Sequence, residues 1–213
     1  RSIYLAPMAV AAIFLAGFGP LYRSTDRGLH WTPLSGSHGP NYGVAVSPHY
    51  GSDRTVIVTY REMEGSGVVP ESGVFRSTDG GNTWAYSGLG LPGFYEPFPG
   101  PVAFSPGYAT NRTVYVADMG TSFRGPRRVY RSVDGGQTWT ALPDPTSDAA
   151  AHDLLAVSSL HGLYLANDAG IWRYEERCRE YAQNGSFEYD FGWTFTGAVP
   201  GGYSTSRAHN GSR

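Results

Sequence analysis

Lysine is missing altogether: the sixteen cationic side chains among 213 residues are all arginine. They stand against eighteen carboxylates for a formal net charge of -2, so no global field draws the chain toward nucleic acid. A single cysteine, Cys178, excludes an internal disulfide and a multi-cysteine zinc site. Charged residues make up only 16% of the chain and aromatics 14%, which is too aromatic for disorder. Long apolar runs are scarce. The stretch at 3–17 (IYLAPMAVAAIFLAG) could pass for the apolar part of a signal peptide. It is broken by Pro7 and is shorter than a membrane-spanning helix, which needs about 20 residues, so no membrane span is expected. Patterns such as Gly-x-Ser-x-Gly, the P-loop, His-Glu-x-x-His and the calcium loop are absent and the six histidines are scattered, so no cofactor and no metal is expected.

What the chain does contain is turn-forming residues, with 29 glycines and 15 prolines, and internal repeats. The nonapeptides RSTDRGLHW (23–31), RSTDGGNTW (76–84) and RSVDGGQTW (131–139) share Ser-x-Asp-x-Gly-x-x-Trp. A second element, Ser-Pro-x-Tyr-x-x-(Asp/Asn)-Arg-Thr-Val, occurs at 47–56 and 105–114, between successive nonapeptides. The segment AIFLAGFGPLYR (12–23) also aligns without a gap on GLYLANDAGIWR (162–173), which ends where a fourth nonapeptide would begin and reads Tyr174-Glu175-Glu176 instead.

Each repeat reads as four short strands rich in Val, Tyr, Thr and Leu, with the nonapeptide joining the third to the fourth through a glycine-containing turn. Tandem four-stranded antiparallel units of this length predict an all-β chain, a β-propeller with four blades over 1–180 and a C-terminal extension over 181–213. On this reading the 3–17 run supplies the two inner strands of the first blade. Four blades are few for a ring, so the chain is expected to be part of a larger one. Closure by four blades alone, or by two chains together, are the alternatives.

The nonapeptides resemble the Asp-box, or bacterial neuraminidase repeat, of secreted bacterial sialidase-like and sortilin-like propellers. The resemblance implies a structural role for Ser24, Asp26, Gly28 and Trp31, for Ser77, Asp79, Gly81 and Trp84, and for Ser132, Asp134, Gly136 and Trp139. Chemistry agrees: Ser and Asp oxygens accept from hairpin amides, glycine permits positive φ, and tryptophan anchors the turn between sheets. Sialidases also need an Arg-Ile-Pro ahead of the first box, and none occurs here. The extension (NGSFEYDFGW from Asn184) resembles the opening strand of a carbohydrate-binding jelly roll, or else is a tail docked on the last blade.

In such a propeller a ligand meets the loops that enter each first strand and join each second strand to its third. Candidates there are Tyr42, Arg61, Glu62, Tyr95, Glu96, Arg124, Arg127, His152 and Asp153, a set suited to an anionic or sugar ligand. A glycosidase would also need paired carboxylates at a defined separation. Two functions are therefore expected in competition: a non-catalytic extracellular scaffold binding protein or glycan, or the propeller portion of a glycoside hydrolase. Both place the chain outside the cell or at its surface.

Overall fold

The computed structural model describes residues 2–5, 12–17, 19–36, 40–61, 72–91, 99–118, 128–143, 151–157, 162–167, 170–180 and 187–195. They form sixteen strands in four antiparallel sheets of four, each in simple up-and-down order. Blade 1 contains β1 (Ser2–Leu5), β2 (Ile13–Ala16), β3 (Tyr22–Ser24) and β4 (Thr32–Pro33). Blade 2 contains β5 (Asn41–Val46), β6 (Val56–Arg61), β7 (Ser72–Ser77) and β8 (Ala85–Tyr86). Blade 3 contains β9 (Pro99–Phe104), β10 (Val114–Asp118), β11 (Val129–Ser132) and β12 (Thr140–Ala141). Blade 4 contains β13 (Ala151–Val157), β14 (Gly162–Asn167), β15 (Gly170–Glu180) and β16 (Phe187–Phe195). The chain is thus built of all-β propeller blades, and residues 3–5 and 13–16 of the early apolar run are strands.

Each middle strand carries an apolar side chain on both faces, because a blade is covered on both sides by its neighbours. In β6, Val56 and Val58 join Phe14 and Leu21 of blade 1, whereas Ile57 joins Val102 and Val114 of blade 3. Blade 3 meets blade 4 through Ala117 and Val129 against Leu163, Leu165 and Tyr174. The core is therefore three successive seams rather than one centre, and no such cluster joins blade 4 back to blade 1 among the described residues.

The second repeated element forms a short helical turn between first and second strands, α1 (Tyr50–Asp53) and α2 (Tyr108–Asn111). Arg54 and Arg112 end these turns in the left-handed region, each donating its N–H to the tyrosine carbonyl and lying over that tyrosine's ring. Their own carbonyls accept from Gly80 and Gly135 at 2.9 and 2.8 Å. The two repeated motifs are thus hydrogen-bonded to each other at one end of blades 2 and 3.

Blade 4 departs from this pattern. Where the other third strands end in a buried serine, the equivalent Tyr174 is buried in the seam, and β15 runs on to Glu180 without turning. Residues 187–195, which the sequence reading placed in an extension, pair with β15 along its length and supply the fourth strand of this sheet. Loss of the Ser-x-Asp and Gly turn residues removes what reverses the chain at the other three sites.

Candidate functional site

The three boxes share one hydrogen-bond scheme. In the second, Ser77 Oγ donates to Asp79 Oδ1 at 2.7 Å and accepts from the Gly81 N–H at 2.8 Å. Asp79 Oδ1 also accepts from the backbone of Asn82 and Thr83, and Oδ2 accepts from Thr83 Oγ1 at 2.6 Å. Ser132, Asp134, Gly136, Gln137 and Thr138 repeat this in the third box. In the first, His30 stands where the others have threonine, its Nδ1 2.6 Å from Asp26 Oδ2, and its backbone N–H donates to Oδ1. Gly28, Gly81 and Gly136 lie at φ of 90°, 93° and 91°.

These bonds hold all three carboxyls at a pKa of about 2. For Asp26 the largest cause is the His30 backbone bond, followed by Ser24. For Asp79 and Asp134 burial pushes upward, and the combined bonds from Thr83 or Thr138 and from the box serine outweigh it. The groups are ionised hydrogen-bond acceptors on the turn between third and fourth strands.

The tryptophans differ. Trp139 is 4% exposed and its Nε1 donates to the Ser87 carbonyl of blade 2 at 2.6 Å, while Ser87 Oγ donates in return to the Gly136 carbonyl. Trp84 is half-buried against the seam of blades 1 and 2. Trp31, expected as a buried anchor like the others, is 38% exposed among the described residues. Arg23 ties blade 1 to the second box, donating from Nη1 to the Gly80 carbonyl at 2.7 Å and to Asn82 Oδ1 at 3.1 Å.

At the opposite end of the blades the first strands begin, and three of them are irregular in the same place. Opposite the step from Tyr60 to Thr59, β5 advances from Asn41 to Gly43 and leaves Tyr42 as an extra residue. In β9 Gly100 and Pro101 together face Ala117, Gly100 standing at the position of Tyr42, and in β13 the extra residue is His152. β-Bulges re-aim side chains and break pairing at the rims of sheets, often beside binding sites. Inner strands here approach closely: a Cβ on Gly43 would lie 2.8 Å from the Gly100 carbonyl oxygen, which also accepts from Thr59 Oγ1 at 2.7 Å. Asn41 pins the start of β5 to blade 1 by donating its N–H to Gly17 at 2.9 Å.

Of the candidates, Tyr42 is half-buried on its bulge and Arg61 ends β6 at this same rim. His152 and Asp153 lie in β13 at the equivalent bulge. Glu62, Tyr95, Glu96, Arg124 and Arg127 lie outside the described residues. Sequence reading did not find the bulges, since only strand pairing reveals that an extra residue recurs at one position. Among the described residues no group of three or more His, Cys, Asp or Glu is placed to hold a metal ion, and no helix is long and apolar enough to cross a membrane.

Fold and boxes together define an Asp-box β-propeller. The family model of the BNR/Asp-box repeat matches residues 130–141, the third box with its flanking strands. The chain is similar to the xyloglucanase Xgh74A of Acetivibrio thermocellus, 29% identical over 86% of this chain and 22% of the relative. A xyloglucanase of a Paenibacillus species is 29% identical over 81% of the chain and 18% of that protein. The chain therefore spans about a fifth of the length of these relatives. Among solved structures, a GH74 enzyme of Niastella koreensis superposes with a TM-score of 0.58 at 20% identity, over 88% of this chain and 29% of that one. A gluconolactonase-like protein superposes at 0.60 with 16% identity, over 92% and 66%. The chain is a propeller related in sequence to glycoside hydrolases.

Proposed function

We propose that the blades bind a xyloglucan-type polysaccharide along the end opposite the Asp-boxes, as the propeller portion of a glycoside hydrolase acting outside the cell. The observation that carries this reading is the recurrence of a bulge in three neighbouring first strands, which sets Tyr42, Gly100 and His152 at one rim. A row of equivalent positions on successive blades suits a ligand that is itself a repeating polymer. Tyrosine offers a flat apolar face to a sugar ring, and Arg61 a planar donor to its hydroxyls. The sequence relation to two xyloglucanases supports the choice of polymer. A polymer of that size stays outside the cell, which supports the location. Glu62, Glu96 and Asp153 are the carboxylates from which an acid and its partner would come.

Affinity electrophoresis in xyloglucan-containing gels tests the binding. Retardation is expected for the native chain, with Tyr42→Ala weakening it about tenfold, the loss of roughly one ring contact. Equal mobility with and without the polysaccharide contradicts the reading. Release of reducing ends from the same polymer separates a catalytic propeller from a purely binding one.

A further inference from the structure

Blades 1 and 2 each send an arginine from the third strand toward the box of the blade that follows, and the two junctions end differently. Arg23 donates to the Gly80 carbonyl and to Asn82 Oδ1 of the second box. Arg76 holds the same place in β7, and a Cβ on Gly136 of the third box would lie 3.9 Å from its Cδ. Its Nε is nevertheless buried without a hydrogen-bond partner. Gln137 stands where the second box has Asn82, and its Nε2 donates to the Asp134 carbonyl at 2.8 Å.

Two further groups meet at the neighbouring glycine. The Tyr108 hydroxyl is buried without a partner, and a Cβ on Gly135 would lie 3.0 Å from it. The same Cβ would lie 3.7 and 3.8 Å from Arg112 Nε and Nη2, and the Arg112 guanidinium stacks 5.0 Å over the Tyr108 ring. In the second box the place beside the tyrosine hydroxyl belongs to Arg23, whose Nη1 is 3.6 Å from a Cβ on Gly80. Charge differs too. Asp53 Oδ1 accepts from the Thr55 N–H in blade 2, and Asn111 Oδ1 takes the equivalent bond from Thr113 in blade 3, so one carboxylate is lost. Asp134 accepts from its own turn, and among the described residues no ion pair joins Arg76 or Arg112 to a carboxylate. Two guanidinium groups and a phenol thus converge on adjacent glycines of one box, with no acceptor for Arg76 Nε or the Tyr108 hydroxyl. Buried donors are costly until water or an ion supplies the acceptor, and paired guanidinium groups favour an anion.

We propose that the third box, at the junction of blades 2 and 3, binds a small inorganic oxyanion, sulfate or phosphate, between Arg76, Tyr108 and Arg112. Asn111 and Arg112 are exposed, which gives the anion its way in from the box end of the blades. Its oxygens accept from both arginines and the phenol, and so take the part that the Gly80 carbonyl and Asn82 play for Arg23.

Isothermal titration calorimetry with sodium sulfate or sodium phosphate, at an ionic strength held constant by sodium chloride, reads the binding directly. A single saturable site per chain is expected. Arg112→Gln and Tyr108→Phe should each weaken it about tenfold, the loss of one bond to a charged group. Asn111→Asp gives blade 3 the carboxylate that blade 2 already carries in the same turn, so the fold is kept while binding should weaken at least as much. Arg54→Gln, the blade 2 counterpart of Arg112, should bind as the native chain does. A native chain with no saturable heat for either anion overturns the proposal. So does binding that Asn111→Asp retains in full, or that Arg54→Gln loses with the others, because the anion then reads surface charge as a whole.

Discussion

Replacing Asp79 by alanine removes the centre of the second box and leaves its neighbours in place. The carboxylate accepts four hydrogen bonds, from Ser77 Oγ, the N–H groups of Asn82 and Thr83, and Thr83 Oγ1. Asn82 and Thr83 are exposed, so water replaces part of what their N–H groups lose, and each bond counts for about 0.5 kcal/mol rather than the 1.5–3 of a sheltered charged bond. The sum is about 2 kcal/mol, equivalent to a fall in Tm of roughly 4–8 °C for a domain of this size. The loss should shrink in acid. The folded pKa of about 2 lies below the free value of 3.8, so the stabilisation is complete above 3.8 and disappears as pH falls through 2. Asp79 is half-buried on its turn and its bond donors Asn82 and Thr83 are exposed, so its ionic share is about 1 kcal/mol after screening. Thermal unfolding followed by circular dichroism at pH 7 and pH 2 measures both quantities. A variant with unchanged Tm at pH 7, or with a loss that grows in acid, would refute the argument that the box carboxylate holds the turn through ionised acceptor bonds.

The other substitutions probe how the blades join. Gly136→Ala places a Cβ 2.7 Å from Ile57 at a φ of 91° and should cost about 3 kcal/mol by urea unfolding, whereas Gly28→Ala, with no atom of the described residues nearer than 3.8 Å, should cost about 1–2 from backbone strain alone. Trp139→Phe leaves the buried Ser87 carbonyl without its indole donor and should cost about 1–2 kcal/mol, measured in the same way. Gly43→Ala drives a Cβ to 2.8 Å from the Gly100 carbonyl oxygen, so the inner strands must separate; a fall in Tm together with weakened polysaccharide retardation is expected.

The propeller was legible in the sequence because three Ser-x-Asp-x-Gly-x-x-Trp copies mark where each third strand turns into a fourth. The same signature failed in blade 4. With Tyr174 in place of the serine, nothing marked the reversal, and FEYDFGWTF at 187–195 read as an extension, either the opening of a separate module or a tail docked on the last blade, without its pairing to β15 being legible. Burial of the tryptophans was only partly legible: boxes of one pattern yield a buried Trp139, held by the Ser87 carbonyl of blade 2, and an exposed Trp31, because burial depends on what packs against the box and not on the motif. The bulges at Tyr42 and His152 were invisible for another reason. One extra residue leaves no mark in composition and shows only when two strands are paired. Tyr42 and His152 themselves were identified as candidates from their place ahead of first strands.

The central claim divides the blades into a joining end, where the boxes lock neighbour to neighbour, and a binding end at the bulged rim. Hydrogen exchange of the chain with and without xyloglucan oligosaccharides, read by mass spectrometry at peptide level, tests that division directly. The account predicts new protection in peptides covering Tyr42, Arg61 and His152, with peptides covering Asp26, Asp79 and Asp134 unchanged. Protection confined to the box peptides would contradict it.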